Sequence, residues 1–230
     1  MNYKLIHDEI QLQKFIDFLP ELSDNEGYFL ILIARKKWYP ESGISSAHKL
    51  RRETVSSKDK IIRVIKSWEI EEGLYRSNDI PIDNRNLGVY IGFNTKNQYK
   101  AAFDLIQQCL ISIRNNRNNI NVKSMANDVI QGSRGTKHFI DIDVDIKDGE
   151  DYIQIMEFIK SVLREDSLTF VKTRGGFHCL VQLNKITEDN PRWYNKLTAH
   201  GFASELNIMN DDLIPLVGCN QGNFIPYFIQ

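Results

Sequence analysis

The stretch that decides the fold is 137-KHFIDIDVDIKD-148, in which Asp141, Asp143 and Asp145 alternate with Ile140, Ile142, Val144 and Ile146. A period of two belongs to a β-strand, so the carboxylates leave one face and the aliphatic side chains the other. Aspartate is among the residues most depleted from strands. Carboxylates two apart on one face also stand roughly 7 Å from each other and repel. A polar solvent face is the plain alternative, but serine, threonine or lysine would solubilise it at lower cost. A divalent cation removes the repulsion. Mg2+ and Mn2+ prefer carboxylate oxygens, and Mg2+ uses one or two of them together with phosphates and water. Two such ions held by a rigid strand suit in-line phosphoryl transfer, in transferases and nucleases alike.

Downstream of this strand (137–145) come a polar turn at 147–151 and an amphipathic pattern at 151–164. Strands at 168–173 and 177–183 then form a hairpin around Gly175–Gly176. A helix at 191–206 and a closing strand at 224–229 complete a β-α-β-β-α-β order, that of the ferredoxin-like or RRM-like unit. In the second hairpin strand His178 leaves the face opposite Phe177 and Cys179, so it can share the aspartates' side. Lys172 and Arg174 cluster at the turn, where two glycines let backbone approach a ligand closely. Such a turn suits a triphosphate. An ordinary hairpin with a hydrogen-bonded histidine is the alternative.

Upstream, the pattern predicts a helix over about 7–18 and a buried strand at 27-GYFLILIAR-35. The strand runs into a basic cluster, Arg35, Lys36 and Lys37, followed by Trp38. Residues 39–55 read as a loop carrying Lys49, Arg51 and Arg52, and helix 58–70 follows. A strand at 87–93 and a long amphipathic helix at 96–114 lead into an Asn/Arg-rich connector at 115–123. The expected class is α/β (α+β): one catalytic domain over 1–230, with an N-terminal α/β module (1–136) joined to an RRM-like catalytic module (137–230).

The chain has 230 residues, 42 % hydrophobic and 26 % charged, enough for a sizeable core. The net charge of −1 hides an asymmetry: residues 1–137 carry 21 Lys and Arg against 16 Asp and Glu, the remainder 8 against 14. A basic half beside an acidic half suits a protein that holds a polyanion and divalent cations. Cys109, Cys179 and Cys219 form no C-x-x-C pair, so reduced thiols are expected, with Cys179 in the core. There is no run of about eighteen apolar residues and no signal-peptide core, so a cytoplasmic protein without membrane contact is expected.

Taken together, these residues resemble the archaeo-eukaryotic primase superfamily, the primase-polymerases of phage and plasmid type. The first motif is 139-FIDID-143 and the second 176-GFH-178, where many members have serine at the position of Gly176. The third falls in 209-MNDDLIPLVGCNQGNF-224, where Asp211 or Asp212 supplies an acid and 217-VGCNQG-222 replaces a Pro-Gly-Thr loop. The resemblance covers roughly residues 27–228. It implies template-dependent nucleotidyl transfer, in the host cytoplasm if phage-encoded. Asp141, Asp143 and Asp212 or Asp211 would bind two Mg2+ or Mn2+ ions, and Asp145 would stay outside that set. His178, with Lys172 or Arg174, would hold the incoming nucleoside triphosphate. Single-stranded DNA template would lie on Arg35, Lys36, Lys37, Arg51 and Arg52, and a separate replicative helicase is an implied partner. Two rivals share the same residues: a divalent-metal nuclease and a catalytically inactive single-strand-binding relative. The first would need the same carboxylates and would use His178 or Lys172 to handle a water nucleophile. The second would want exposed aromatics on the sheet.

Overall fold

The most apolar run of the chain becomes its central strand. In a computed structural model, residues 1–45, 47–116, 119–146, 149–186, 192–199, 201, 206–209 and 213–229 are described. The first half begins with α1 (Glu9–Phe18), capped by Asp8, whose carboxylate accepts from the Gln11 N–H at 2.9 Å. Strand β1 (Glu26–Ala34) follows, buried along its whole length, then β2 (His48–Val55) and α2 (Lys60–Ser67). A two-residue ribbon, β3 (Arg76–Ser77) and β4 (Ile80–Pro81), precedes β5 (Leu87–Gly92) and the short β6 (Lys96–Asn97). Helix α3 (Gln98–Arg114) packs on α4 (Val122–Gly132), and Asn97 and Asn121 cap the two.

The second half runs β7 (Phe139–Val144), α5 (Glu150–Val162), β8 (Leu168–Lys172), β9 (Phe177–Gln182), α6 (Trp193–Thr198), β10 (Leu206–Met209), β11 (Leu213–Pro215) and β12 (Tyr227–Ile229). The fold is mixed α/β. One sheet has the order β11-β5-β1-β2, with β6 on the start of β1, and the other the order β10-β7-β9-β8-β12. Every pairing in both sheets is antiparallel. The chain returns to the first sheet after β10, and residues 213–222 hydrogen-bond along β5.

The two sheets share a core. Phe139, Val171 and Leu180 of the second pack with Leu30, Leu32, Val89 and Ile91 of the first, and with Leu12, Phe15 and Ile61 of α1 and α2. The opposite face of the second sheet (Ile140, Ile142, Val144, Cys179, Val181) packs on Ile155 and Ile159 of α5 and Leu197 of α6. Buried Asn94 fixes the start of β7: its Oδ1 accepts from the N–H groups of His138 (2.8 Å) and Phe139 (2.9 Å), and its Nδ2 donates to Phe139 O (3.0 Å). Glu26 does the same for the preceding residues, accepting from the Thr136 N–H and the Thr95 hydroxyl.

Several expectations are corrected. Residues 48–55 are a strand, because an edge partner to apolar β1 needs no hydrophobic alternation of its own, and charged residues suit an edge. The Asn-rich connector ends at Asn121, which opens α4, a helix absent from the sequence reading. The helix expected at 191–206 is shorter, and the free edge of β7 is taken by Leu206–Met209. The closing segment pairs instead with β8. Cys109, Cys179 and Cys219 are free thiols, with Cys179 and Cys219 both buried. No helix among the described residues is long and apolar enough to cross a membrane.

Candidate active site

Burial decreases along one face of β7. Phe139 lies in the shared core, Asp141 is 1 % exposed, and the Asp143 side chain is 26 % exposed. Asp145, just beyond the strand, lines an open cavity together with Asp143. The aspartate face is therefore covered at one end by the first sheet and opens only at the other. Antiparallel pairing sets His178 of β9 directly across from Asp143. Its Nδ1 lies 2.8 Å from Asp141 Oδ2, and its Nε2 lies 3.5 Å from Asp143 Oδ1. An ionised carboxylate only accepts, so Nδ1 carries the proton and donates it to Asp141.

The electrostatics follow from this crowding. Burial alone would lower the imidazole pKa, but the charge and hydrogen bond of Asp141, with the charges of Asp143 and Asp145, raise it above its ordinary value. Burial raises the Asp143 carboxyl, and Asp141 and Asp145 add to the rise, while His178 and Lys37 partly offset it. The carboxylate cluster is short of positive charge.

The cavity, about 630 Å³, supplies that charge from its other walls. Arg35, Lys37, Trp38 and Tyr90 come from the first sheet, and Thr173, Arg174 and Gly175 from the hairpin. Trp38 and Tyr90 lie parallel with centroids 6.4 Å apart, and the Arg35 guanidinium sits over both, at 5.5 and 5.2 Å. Arg174 is held in place: its backbone N–H donates to Gln221 Oε1 at 2.8 Å, and its guanidinium donates to the carbonyls of Gly222 and Trp38. The hairpin turn approaches β7 so closely that a Cβ on Gly176 would lie 1.8 Å from Val144 O. A serine cannot stand there, which explains the glycine in 176-GFH-178.

Asp141, Asp143, His178 and Arg174 thus come together, and Arg35 and Lys37 join them. Lys172 does not. The β8–β9 register puts it beside Phe177 on the helix-covered face, with its Nζ 4.3 Å from the Tyr152 ring centroid. Lys36 is exposed outside the cavity lining. Arg51 lies over Tyr75 at 5.4 Å and Arg52 pairs with Asp128 of α4. Both border a separate groove with Lys49 and Lys123. Asp211 and Asp212 lie outside the described residues. In the 217–222 segment, Gly218 has φ +78°, and its carbonyl accepts from the N–H groups of His7 and Asp8. Gln221 reaches the cavity. Sequence reasoning missed Tyr90, gave Gln221 only as part of 217-VGCNQG-222, and placed Asp145 outside the metal-binding set. The alternation of Asp145 with the other two aspartates was the available signal for it, and the 217–222 segment for Gln221, whereas Tyr90 had none.

No family model, no curated protein and no solved structure matches this chain.

Among the described residues, no group of three or more His, Cys, Asp and Glu side chains converges as a metal site. The donor chemistry nevertheless fits a hard divalent cation. Asp143 and Asp145 are carboxylates at a cavity wall, with Asp141 behind them, and Mg2+ needs only one or two carboxylates besides phosphate and water.

Proposed function

We propose that this chain is a metal-dependent nucleotidyltransferase of the primase-polymerase type, which joins nucleoside triphosphates on a single-stranded DNA template. The observation that carries this reading is one cavity lined both by Asp143, Asp145 and His178 and by the cations Arg35, Lys37 and Arg174. The carboxylates suit divalent cations and the guanidinium and ammonium groups suit phosphates. The order β10-β7-β9-β8, all antiparallel with α5 and α6 on one face, supports the finer RRM-like assignment of the second half.

Asp141, Asp143 and Asp145 are the residues that would hold Mg2+ or Mn2+, with Asp211 or Asp212 as a further ligand. When bound, the ions would neutralise charge on the phosphates and favour attack of a 3′-hydroxyl on the α-phosphate, with loss of pyrophosphate. The chain's own residues supply position. Asp141 fixes the His178 tautomer and holds the ring with Nε2 toward Asp143. Arg174, tied to Gly222 and Trp38, presents a pre-ordered cation to the triphosphate. The groove of Lys49, Arg51 and Lys123 takes template phosphates.

The test is incubation of the protein with single-stranded template, labelled nucleotides and Mg2+ or Mn2+. Template-dependent products should form and should fall by at least about a hundredfold in Asp143→Ala and His178→Ala. Shortening of a labelled strand without incorporation would replace this reading with the nuclease. Template binding that survives both substitutions, with no turnover in the wild type, would replace it with an inactive binding relative.

A further inference from the structure

Helix α3 is attached by its weaker face. Ala101 and Ser112 are buried and Cys109 meets Met125 of α4, whereas Tyr99, Phe103, Ile106, Leu110 and Ile113 are each 61–71 % exposed. Their spacing is four, three, four and three residues. That is a heptad a/d seam, about 21 Å long on a straight helix. Hydrophobic side chains in this pattern are ordinarily the ones a helix buries. With the half-exposed Ile111 beside it, the stripe presents on the order of 700 Å² of side-chain surface, more than the largest apolar patch of most monomers.

We propose that the stripe is a self-association surface, on which two copies of this chain pair their α3 helices antiparallel. Three observations select a second copy. The area matches: two such faces expose about 1,400 Å² between them, and burying the four layered side chains of each still gives on the order of 1,000 Å², enough for a specific interface. The flanks make no demand for a partner of opposite charge, since the positions beside the seam are Lys100, Ala102, Gln107, Cys109 and Arg114. The sizes are complementary end to end. An antiparallel register sets Tyr99 against Leu110 and Phe103 against Ile106 of the second copy, aromatic on aliphatic in each of these layers, with Ile113 beyond the last of them, and opposes the helix dipoles. An interfacial membrane helix would instead carry a polar face rich in Lys and Arg, and here the opposite face is occupied by α4. α3 begins beside Glu26–Gly27, whereas the cavity lies past the other end of β1, so pairing leaves the candidate active site open.

Light scattering in line with gel filtration tests this on the full chain over a dilution series. The wild type should run as two copies. Phe103→Glu and Ile106→Lys should each weaken pairing by about a hundredfold and run as single chains, with an unchanged far-ultraviolet circular dichroism spectrum because both side chains are exposed on the single chain. A 1:1 mixture of the two variants should recover the dimer, because the carboxylate introduced in one copy then faces the ammonium introduced in the other. A wild type that stays monomeric at every concentration, or variants that dimerise like the wild type, would overturn the proposal. So would a monomeric wild type that sediments with anionic phospholipid vesicles, which would reassign the stripe to a membrane surface. A mixture that stays monomeric would overturn the antiparallel register.

Discussion

Asp141 and His178, 37 residues apart in sequence, meet in a buried hydrogen bond of 2.8 Å between Oδ2 and Nδ1. The imidazole of His178 has its pKa raised, so it binds a proton more readily folded than unfolded. Stability from this pair is fully present below the unfolded value of 6.5 and is lost as pH rises through the folded value. Asp141→Asn should lower the His178 pKa, read from imidazole shifts in an NMR titration. It should also destabilise the protein by about 2 kcal/mol below pH 6.5, with the gap to the wild type narrowing at higher pH in urea unfolding.

Glu26 gives the opposite pH dependence. Burial would raise its carboxyl, but the bonds from Thr136, Thr95 and the Ser23 N–H outweigh that and hold it at about 2, against 4.5 ordinarily. Its contribution is present above pH 4.5 and is lost as pH falls toward 2. Glu26→Gln should therefore cost on the order of 3 kcal/mol at neutral pH, and the two stability curves should converge under acid.

Gly176→Ser tests the close approach of the hairpin to β7. With Val144 O 1.8 Å from the new Cβ, the turn must move away from the aspartate strand. The expected loss is about 3 kcal/mol in denaturant unfolding, together with loss of nucleotide incorporation.

The two cations near the hairpin should behave differently. Arg174→Ala should raise the KM for nucleoside triphosphate by about tenfold or more, since an oriented guanidinium leaves the cavity. Lys172→Ala should leave KM unchanged, because its ammonium stands over Tyr152 on the other face of the sheet. Steady-state incorporation kinetics decide between them.

Much of this was legible in the residues. Strands β1, β5, β7, β8 and β9 and helix α5 follow from their apolar pattern, since each carries its own core face, and α3 follows from a periodic apolar stripe that the fold leaves exposed. What was not legible depended on neighbours. The charged run 48–55 becomes a strand because β1 offers it an edge, and 206–209 because β7 does. The period-two placement of Asp141, Asp143 and Asp145, and the phase that turns His178 to their side, are properties of the local sequence alone. A strand's side-chain period is fixed by backbone geometry. Which cations face those carboxylates was decided by the tertiary structure. The β8–β9 register sends Lys172 to the helix side, and the packing of two sheets brings Arg35 and Lys37 across from Asp143. Register and sheet packing arise from contacts between distant segments. One chain segment cannot encode where another's charge will lie.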